Sequence, residues 1–189
     1  MFINIEGISG VGKSTIVSLL ADKLSATIVK TIPEEFNKLR HFIDNSKFLN
    51  IDTLNSRFCF FLSATFYCSD IIKKKQDFCK TIITESYFYR AIAYHKGMGA
   101  TLNIDLPRDI LIPCHNFYLV CNEKNRSIRR NNRKKRTNDW IELSEQKINY
   151  ILEEYKKFYY CMHVIDTTDY TPREISNQIM TLLKKENAI

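Results

Sequence analysis

The sequence predicts a three-layer α/β fold, a five-stranded parallel sheet flanked by helices. Three observations carry that expectation. A complete phosphate-binding pattern, Gly7-Ile8-Ser9-Gly10-Val11-Gly12-Lys13-Ser14-Thr15, lies near the start of the chain. An apolar run precedes it and an apolar-periodic stretch follows it, which is the strand–loop–helix setting the pattern requires. Short runs rich in Ile, Val, Phe and Tyr then alternate with helical patterns along the 189 residues, as in a sheet buried on both faces.

The elements follow in order. Phe2 to Glu6 reads as the first strand, and Ser14 to Leu24 as the first helix, with Ile16, Val17, Leu20 and Leu24 at helical spacing. A second strand covers Thr27 to Thr31, followed by helices over Glu35 to Ile43 and Asp52 to Lys75. Thr81 to Thr84 forms the third strand and Tyr87 to Lys96 the next helix. Asn116 to Cys121 forms the fourth strand, before helices over Glu123 to Lys135 and Glu142 to Phe158. His163 to Asp166 is the fifth strand. The last helix, Pro172 to Lys185, opens on Thr171-Pro172-Arg173-Glu174: a threonine cap, a proline at the first helical position and a glutamate behind it. The length suits one domain, residues 1–189, with a lid of about 123–139.

Composition narrows the classes. The 44% hydrophobic content is ordinary for a globular domain. No apolar run approaches membrane-spanning length, and the opening strand and loop leave no room for a signal peptide, so a cytoplasmic protein is expected. Six cysteines stand at 59, 68, 79, 114, 121 and 161 without a C-x-x-C pair. They read as buried free thiols rather than a zinc site. The net charge is +7, but residues 124–136 hold eight basic and no acidic residues, and removing those eight leaves −1. The positive charge is one local device, so nucleic acid is not the expected partner.

The glycine loop fixes the first chemistry. Its backbone N–H groups, with the helix N-terminus behind them, suit the phosphates of ATP, through Gly7, Gly10, Val11, Gly12, Lys13, Ser14 and Thr15. Lys13 places a charge near the transferred phosphoryl group, and the Ser14 hydroxyl suits Mg2+. In an open parallel sheet ligands sit at the carboxyl ends of the strands, which makes a short list. Glu85, directly after the third strand, is a metal or acceptor-positioning carboxylate, or a helix cap. Glu34 and Glu35, after the second strand, offer a base if the acceptor is a hydroxyl, or open a helix as solvated residues. In the basic stretch Arg126, Arg129, Arg130 and Arg133 are spaced to share a helical face, as a lid closing over ATP and its migrating phosphoryl group. The alternatives are a nucleic-acid arm or a solvated face. Phe61 and Phe66 in the long third helix can stack a planar base and Arg57 can bond its edge, or all can serve packing. The four histidines, His41, His95, His115 and His163, show no ligand spacing and read as structural or surface residues.

Together these residues resemble the thymidylate kinase branch of the P-loop nucleotide kinases, with deoxynucleoside kinases as near relatives, over almost the whole chain. Glu85-Ser86-Tyr87 followed by Ala93-Tyr94-His95 is similar to that family's Asp-Arg-Tyr with its later Ala-Tyr-Gln. Arg136 to Glu142 resembles the end of an arginine-rich lid. Val164-Ile165-Asp166-Thr167 resembles the last strand, which implies Asp166 near the adenine of ATP. The resemblance implies a three-layer P-loop kinase fold, Tyr87, Arg90 and Tyr94 at the acceptor, and ATP with Mg2+. It allows a homodimer, for which Phe58 to Phe66 is either the surface or plain core. Three departures stand out. Ser86 replaces an arginine, Ile32-Pro33-Glu34 replaces Arg-Glu-Pro, and Ala64-Thr65-Phe66 replaces an Ala-Asp-Arg whose arginine reads thymine. Arg40, Arg57 and Arg90 are the candidates to substitute. The expected activity is transfer of the γ-phosphoryl group of ATP to a nucleoside monophosphate. The alternatives are phosphorylation of a nucleoside hydroxyl and a regulatory or nucleic-acid-binding NTPase.

Overall fold

In a computed structural model, which describes residues 1–45, 51–104, 109–132 and 143–186, five strands form one wholly parallel sheet in the order β2-β3-β1-β4-β5. The strands are β1 (Phe2–Glu6), β2 (Thr27–Val29), β3 (Ile82–Glu85), β4 (His115–Val120) and β5 (His163–Asp166). β1 is buried at every position, because strands pair with it on both sides and helices cover both faces. The edge strands β2 and β5 alternate in burial instead.

Among the described residues seven α-helices surround the sheet: α1 (Lys13–Leu24), α2 (Asn37–Asn45), α3 (Ile51–Gln76), α4 (Phe88–Gly97), α5 (Glu123–Asn131), α6 (Glu145–Lys156) and α7 (Pro172–Glu186). α1 packs on α7, while α4 packs on α6 and α3, which gives two helix layers. α4 and α6 approach so closely at Gly97 that an added Cβ would meet the Ile151 backbone at 2.6 Å. The start of α7 has the expected capping box: Glu174 accepts from the Thr171 N–H at 2.8 Å, and the Glu174 N–H donates to the Thr171 hydroxyl at 3.3 Å.

The departures from expectation have local causes. β2 ends at Val29, two residues early: its pairing with β3 stops there, Thr31 donates instead to the Ser86 carbonyl, and a single 3-10 turn, Glu34–Phe36, precedes α2. α6 begins at Glu145, where the Ser144 hydroxyl accepts from the Lys147 N–H at 3.3 Å. The expected helical residues 133–135, the lid's end at 136–142, and Arg133 with them lie outside the described residues. All six cysteines are free, but only Cys68 is fully buried; Cys59 and Cys114 are exposed. Among the described residues no helix is long and apolar enough to cross a membrane.

A polar line crosses the centre of the sheet. The Thr84 hydroxyl donates to Asn4 Oδ1 at 3.0 Å, and Asn4 Nδ2 donates to Asn116 Oδ1 and Glu6 Oε1, each at 3.2 Å. Glu6, wholly buried, also accepts from the Tyr87 N–H at 2.7 Å and from the Tyr155 hydroxyl at 3.1 Å. Burial raises its carboxyl above the ordinary glutamate value, against the lowering pull of Asn4, the Tyr87 N–H and the charges of Arg90 and Lys13. These bonds satisfy the buried groups and lock β3, β1, α4 and α6 beneath the glycine loop.

Candidate active site

The strand order reverses between the two neighbours of β1, and a cleft of about 970 Å3 opens at that carboxyl edge. Residues 8–15 of the glycine loop form its floor. The loop turns through Gly7, Gly10 and Gly12, with φ of +137°, +94° and +100°. α1 starts on Gly12 with no side-chain cap, so its first N–H groups remain for an anion. Lys13 is buried and donates to the Ile8 carbonyl at 3.0 Å, which holds its ammonium inside the loop.

Glu85, at the tip of β3, accepts from the Ser14 hydroxyl at 2.9 Å. An oxygen from the first turn of α1 and one from the end of β3 thus meet beside the loop, the kind of ligand set a cation held jointly with phosphates takes. Among the described residues no cluster of three or more His, Cys, Asp or Glu side chains forms a metal cage. Thr31 pins the adjoining turn by donating to the Glu85 carbonyl at 3.3 Å and to the Ser86 carbonyl. Ser86, buried at φ +67°, occupies a backbone conformation uncommon for a side chain.

The basic helix folds inward. Arg126 is buried against Gly10, donates to the Ser9 carbonyl at 3.4 Å, and pairs with Glu123. Burial comes first in lowering its pKa, with Arg130 adding to it. Arg129 clasps the turn after β5, donating to the Thr167 hydroxyl at 3.0 Å and the Thr167 carbonyl at 2.7 Å. Arg130 is exposed on the cleft rim. Two of the three described arginines therefore engage the nucleotide loop or the β5 turn rather than solvent.

At the acceptor end, Arg90 lies 4.1 Å over the Tyr94 ring and donates to the Gly7 carbonyl at 3.5 Å. Tyr87, Arg90, Tyr94, Arg40, Arg57 and Phe61 all line the cleft. Phe66 does not. The helical phase of α3 brings Arg57, Phe61 and Thr65 to one face at intervals of four, and Phe66 packs into the core. Nor do Glu34, Glu35 or Asp166 line it. Both glutamates are exposed in the 3-10 turn that follows buried Pro33, and Glu34 pairs with Lys30 at 2.8 Å, which holds its carboxyl below the ordinary value. Asp166 is exposed and folds back to accept from the Thr168 N–H at 2.8 Å. The cleft-facing residue there is buried Thr167, whose hydroxyl donates to the Val11 carbonyl at 3.1 Å.

Sequence reasoning missed Thr65, Thr167 and His95. His95 lines the cleft and is buried between Phe58 and Phe61, with ring centroids 5.0 and 5.2 Å away. Burial pushes its pKa down from 6.5 to about 4. The unfolded chain takes up this proton near 6.5 and the folded chain only near 4. The stability contributed by neutral His95 is therefore full above pH 6.5 and lost as pH falls toward 4, a loss of about 3 kcal/mol. Denaturant unfolding at pH 7 and pH 4 will show the native protein losing about 3 kcal/mol more than His95→Phe; equal losses would show that His95 is not buried in neutral form.

Eight lysine and arginine side chains line the cleft, against the single carboxylate of Glu85 among the described residues. Comparison with known proteins agrees with a site for phosphates. Residues 5–179 match the family model described as thymidylate kinase. The chain is 30% identical over 106 residues to a probable thymidylate kinase of Caldivirga maquilingensis, a match covering 52% of this chain and about half, 51%, of that protein. It is 28% identical over 167 residues to a thymidylate kinase of Mycoplasma mobile, covering 77% of each. The thymidylate kinase structure from Candida albicans superposes with a TM-score of 0.75 at 18% identity, over 98% of this chain and 92% of that one. A deoxyadenosine kinase from M. mycoides with bound dATP superposes with a TM-score of 0.69 at 21% identity, over 97% and 100%. Fold alone is thus common to both kinds of kinase. The family match across the glycine loop, the Glu85 turn and β5 is decisive: the chain belongs to the thymidylate kinase family.

Proposed function

We propose that the protein transfers the γ-phosphoryl group of ATP to the phosphate of a nucleoside monophosphate. The observation that carries this reading is the charge of the cleft, eight cations against one carboxylate among the described residues, with Glu34 and Glu35 outside it. A monophosphate acceptor needs cations to bring two polyanions together. It needs no base, because its attacking oxygen is already ionised. A nucleoside acceptor would need a carboxylate at its hydroxyl; the acidic pair suggested for that role is exposed, and the cleft carboxylate, Glu85, is engaged by the Ser14 hydroxyl beside the glycine loop. The relatives named thymidylate kinase support the same choice.

In the transfer, a bond forms from an acceptor phosphate oxygen to the γ-phosphorus, the bond to the β–γ bridging oxygen breaks, and ADP leaves. Loop N–H groups and Lys13 hold the β- and γ-phosphates. Arg126 and Arg130 flank the loop at Gly10 and neutralise charge on the migrating group. Arg90 and Arg40 hold the acceptor phosphate, with Arg90 taking over from the arginine that Ser86 replaces. Ser14 and Glu85 fit an oxygen-coordinated Mg2+, which when bound supplies charge neutralisation between the phosphates.

The acidic pair gives a direct test. Replacing both Glu34 and Glu35 by glutamine will leave kcat with monophosphates within about twofold, since neither touches the site. A fall of roughly 10²-fold or more would restore a catalytic base at that position and with it a hydroxyl acceptor.

A further inference from the structure

Glu6, at the end of β1, is wholly buried, and among the described residues it is the one carboxylate in the core. Its side chain accepts from Asn4 Nδ2 at 3.2 Å, from the Tyr87 N–H at 2.7 Å and from the Tyr155 hydroxyl at 3.1 Å. The charges of Arg90 and Lys13 add to the pull of these donors. Donors and cations around a carboxyl favour its ionised form. A buried charge costs more to desolvate than an apolar or amide side chain of the same size, so the charge itself calls for a role.

What the anion holds is the frame around Arg90. Tyr87 is the N-cap of α4, whose first turn contains no acidic residue and whose cap side chain makes no hydrogen bond. Glu6 supplies from β1 the anionic cap that α4 lacks in its own sequence. Arg90 follows on that first turn, its N–H bonded to the Tyr87 carbonyl at 3.1 Å. A second tie runs through α6. Glu6 holds the Tyr155 hydroxyl, the Tyr155 ring meets the Tyr94 ring edge-on at 6.4 Å, and the Arg90 guanidinium lies 4.1 Å over Tyr94. Glu6 thus reaches Arg90 twice, through its backbone and through the ring against its guanidinium. The third hold is charge: two carboxylates act on Arg90, Glu6 in the core and Glu85 in the cleft.

We propose that Glu6 is a positioning residue for the acceptor phosphate: its charge seats Arg90 against the Gly7 carbonyl and away from Glu85, with the guanidinium facing the acceptor. Without that charge Glu85 is the remaining anion and draws the guanidinium to itself. Arg90 then competes with the Ser14 hydroxyl for Glu85 and leaves the acceptor phosphate. The inference rests on Arg90 as the group that holds this phosphate, and adds what places it. The sign of the effect separates this role from plain electrostatics. A carboxylate near a phosphate repels it, so if Glu6 acted only as a nearby charge, neutralising it would tighten acceptor binding. Acting through Arg90, its neutralisation does the reverse.

The test is Glu6→Gln, which keeps the shape and an acceptor oxygen for the Tyr87 N–H but removes the charge. Calorimetric titration of the full chain with dTMP, with and without Arg90→Ala, completes a double-mutant cycle. With Arg90 in place, Glu6→Gln will weaken dTMP binding roughly tenfold. In the Arg90→Ala background it will change dTMP binding by less than about twofold, because the residue it acts through is gone. Kinetics will show the loss in KM for dTMP, with kcat and the KM for ATP each within about threefold, since Lys13 stays on the Ile8 carbonyl. Tyr155→Phe keeps the charge and releases only the hydroxyl tie. It will weaken dTMP roughly threefold, again only with Arg90 present, and it decides the matter if Glu6→Gln does not fold. Tighter or unchanged dTMP binding in Glu6→Gln, an equal loss with and without Arg90, or a loss shared by ATP overturns the proposal. Failure of the monophosphate reading looks different: the native protein then binds deoxythymidine and not dTMP, before any variant is compared.

Discussion

Lys13→Ala will lower kcat roughly 10³-fold or more with every acceptor, while the protein stays folded. The ammonium is buried in the loop and held on the Ile8 carbonyl at 3.0 Å, so it is already placed where charge moves during transfer. A preorganised cation in a site shielded from water needs no rearrangement at the moment of reaction. Removing it also deprives the Ile8 carbonyl of a donor, which costs about 1 kcal/mol of stability. Steady-state kinetics with a thermal melt of the same sample separates the two effects. Turnover within tenfold of the native rate, on an intact melt, would show that the loop lysine does not stabilise the transferred group.

The second large effect belongs to Gly10. An alanine there inherits φ +94° and brings its Cβ within 2.7 Å of Arg126 Cγ and 2.9 Å of the Arg126 carbonyl. α5 must then back away from the loop, and with it the Arg126 contact to the Ser9 carbonyl. Gly12→Ala is the natural comparison. It shares a positive φ of +100° but would meet no atom within 4 Å. Gly12→Ala should lose about 1–2 kcal/mol from backbone strain. Gly10→Ala should lose that and about 1–3 kcal/mol more from the collision, and should also bind ATP at least roughly tenfold more weakly as the arginine helix shifts. Unfolding free energies measured without nucleotide decide the matter. Equal losses for the two variants would mean that α5 does not rest on the loop.

Much of the fold was legible because parallel, doubly covered strands leave a plain trace. Phe2–Glu6 and His163–Asp166 have the boundaries the apolar runs suggest, and the other three strands differ by one or two residues. The glycine loop was legible because its spacing is tied to backbone geometry. What the sequence did not reveal depends on helical phase and on distant partners. Phe66 and Thr65 are adjacent, and only the rotation of α3 decides that Thr65 meets the cleft. The same holds for Asp166 and Thr167, where a one-residue shift past the strand end exchanges an exposed carboxylate for a buried hydroxyl. Glu34 and Glu35 read as site residues on the assumption that β2 runs to Thr31, whereas it stops at Val29. His95 carried no motif, and its meaning comes from Phe58, Phe61 and the Ala91 carbonyl around it. Glu6 sits in an apolar strand, and its partners Tyr87 and Tyr155 lie 81 and 149 residues away.

The central claim is that the phosphoryl acceptor is itself a phosphate. The measurement that tests it most directly is product identification by 31P NMR, with MgATP and either a deoxynucleoside monophosphate or the matching deoxynucleoside, across the natural bases. The account predicts ADP together with a new nucleoside diphosphate from at least one monophosphate, thymidylate among them, and no monophosphate formed from any nucleoside. Conversion of nucleosides to monophosphates, with monophosphates left unchanged, would contradict it and make the acceptor a hydroxyl.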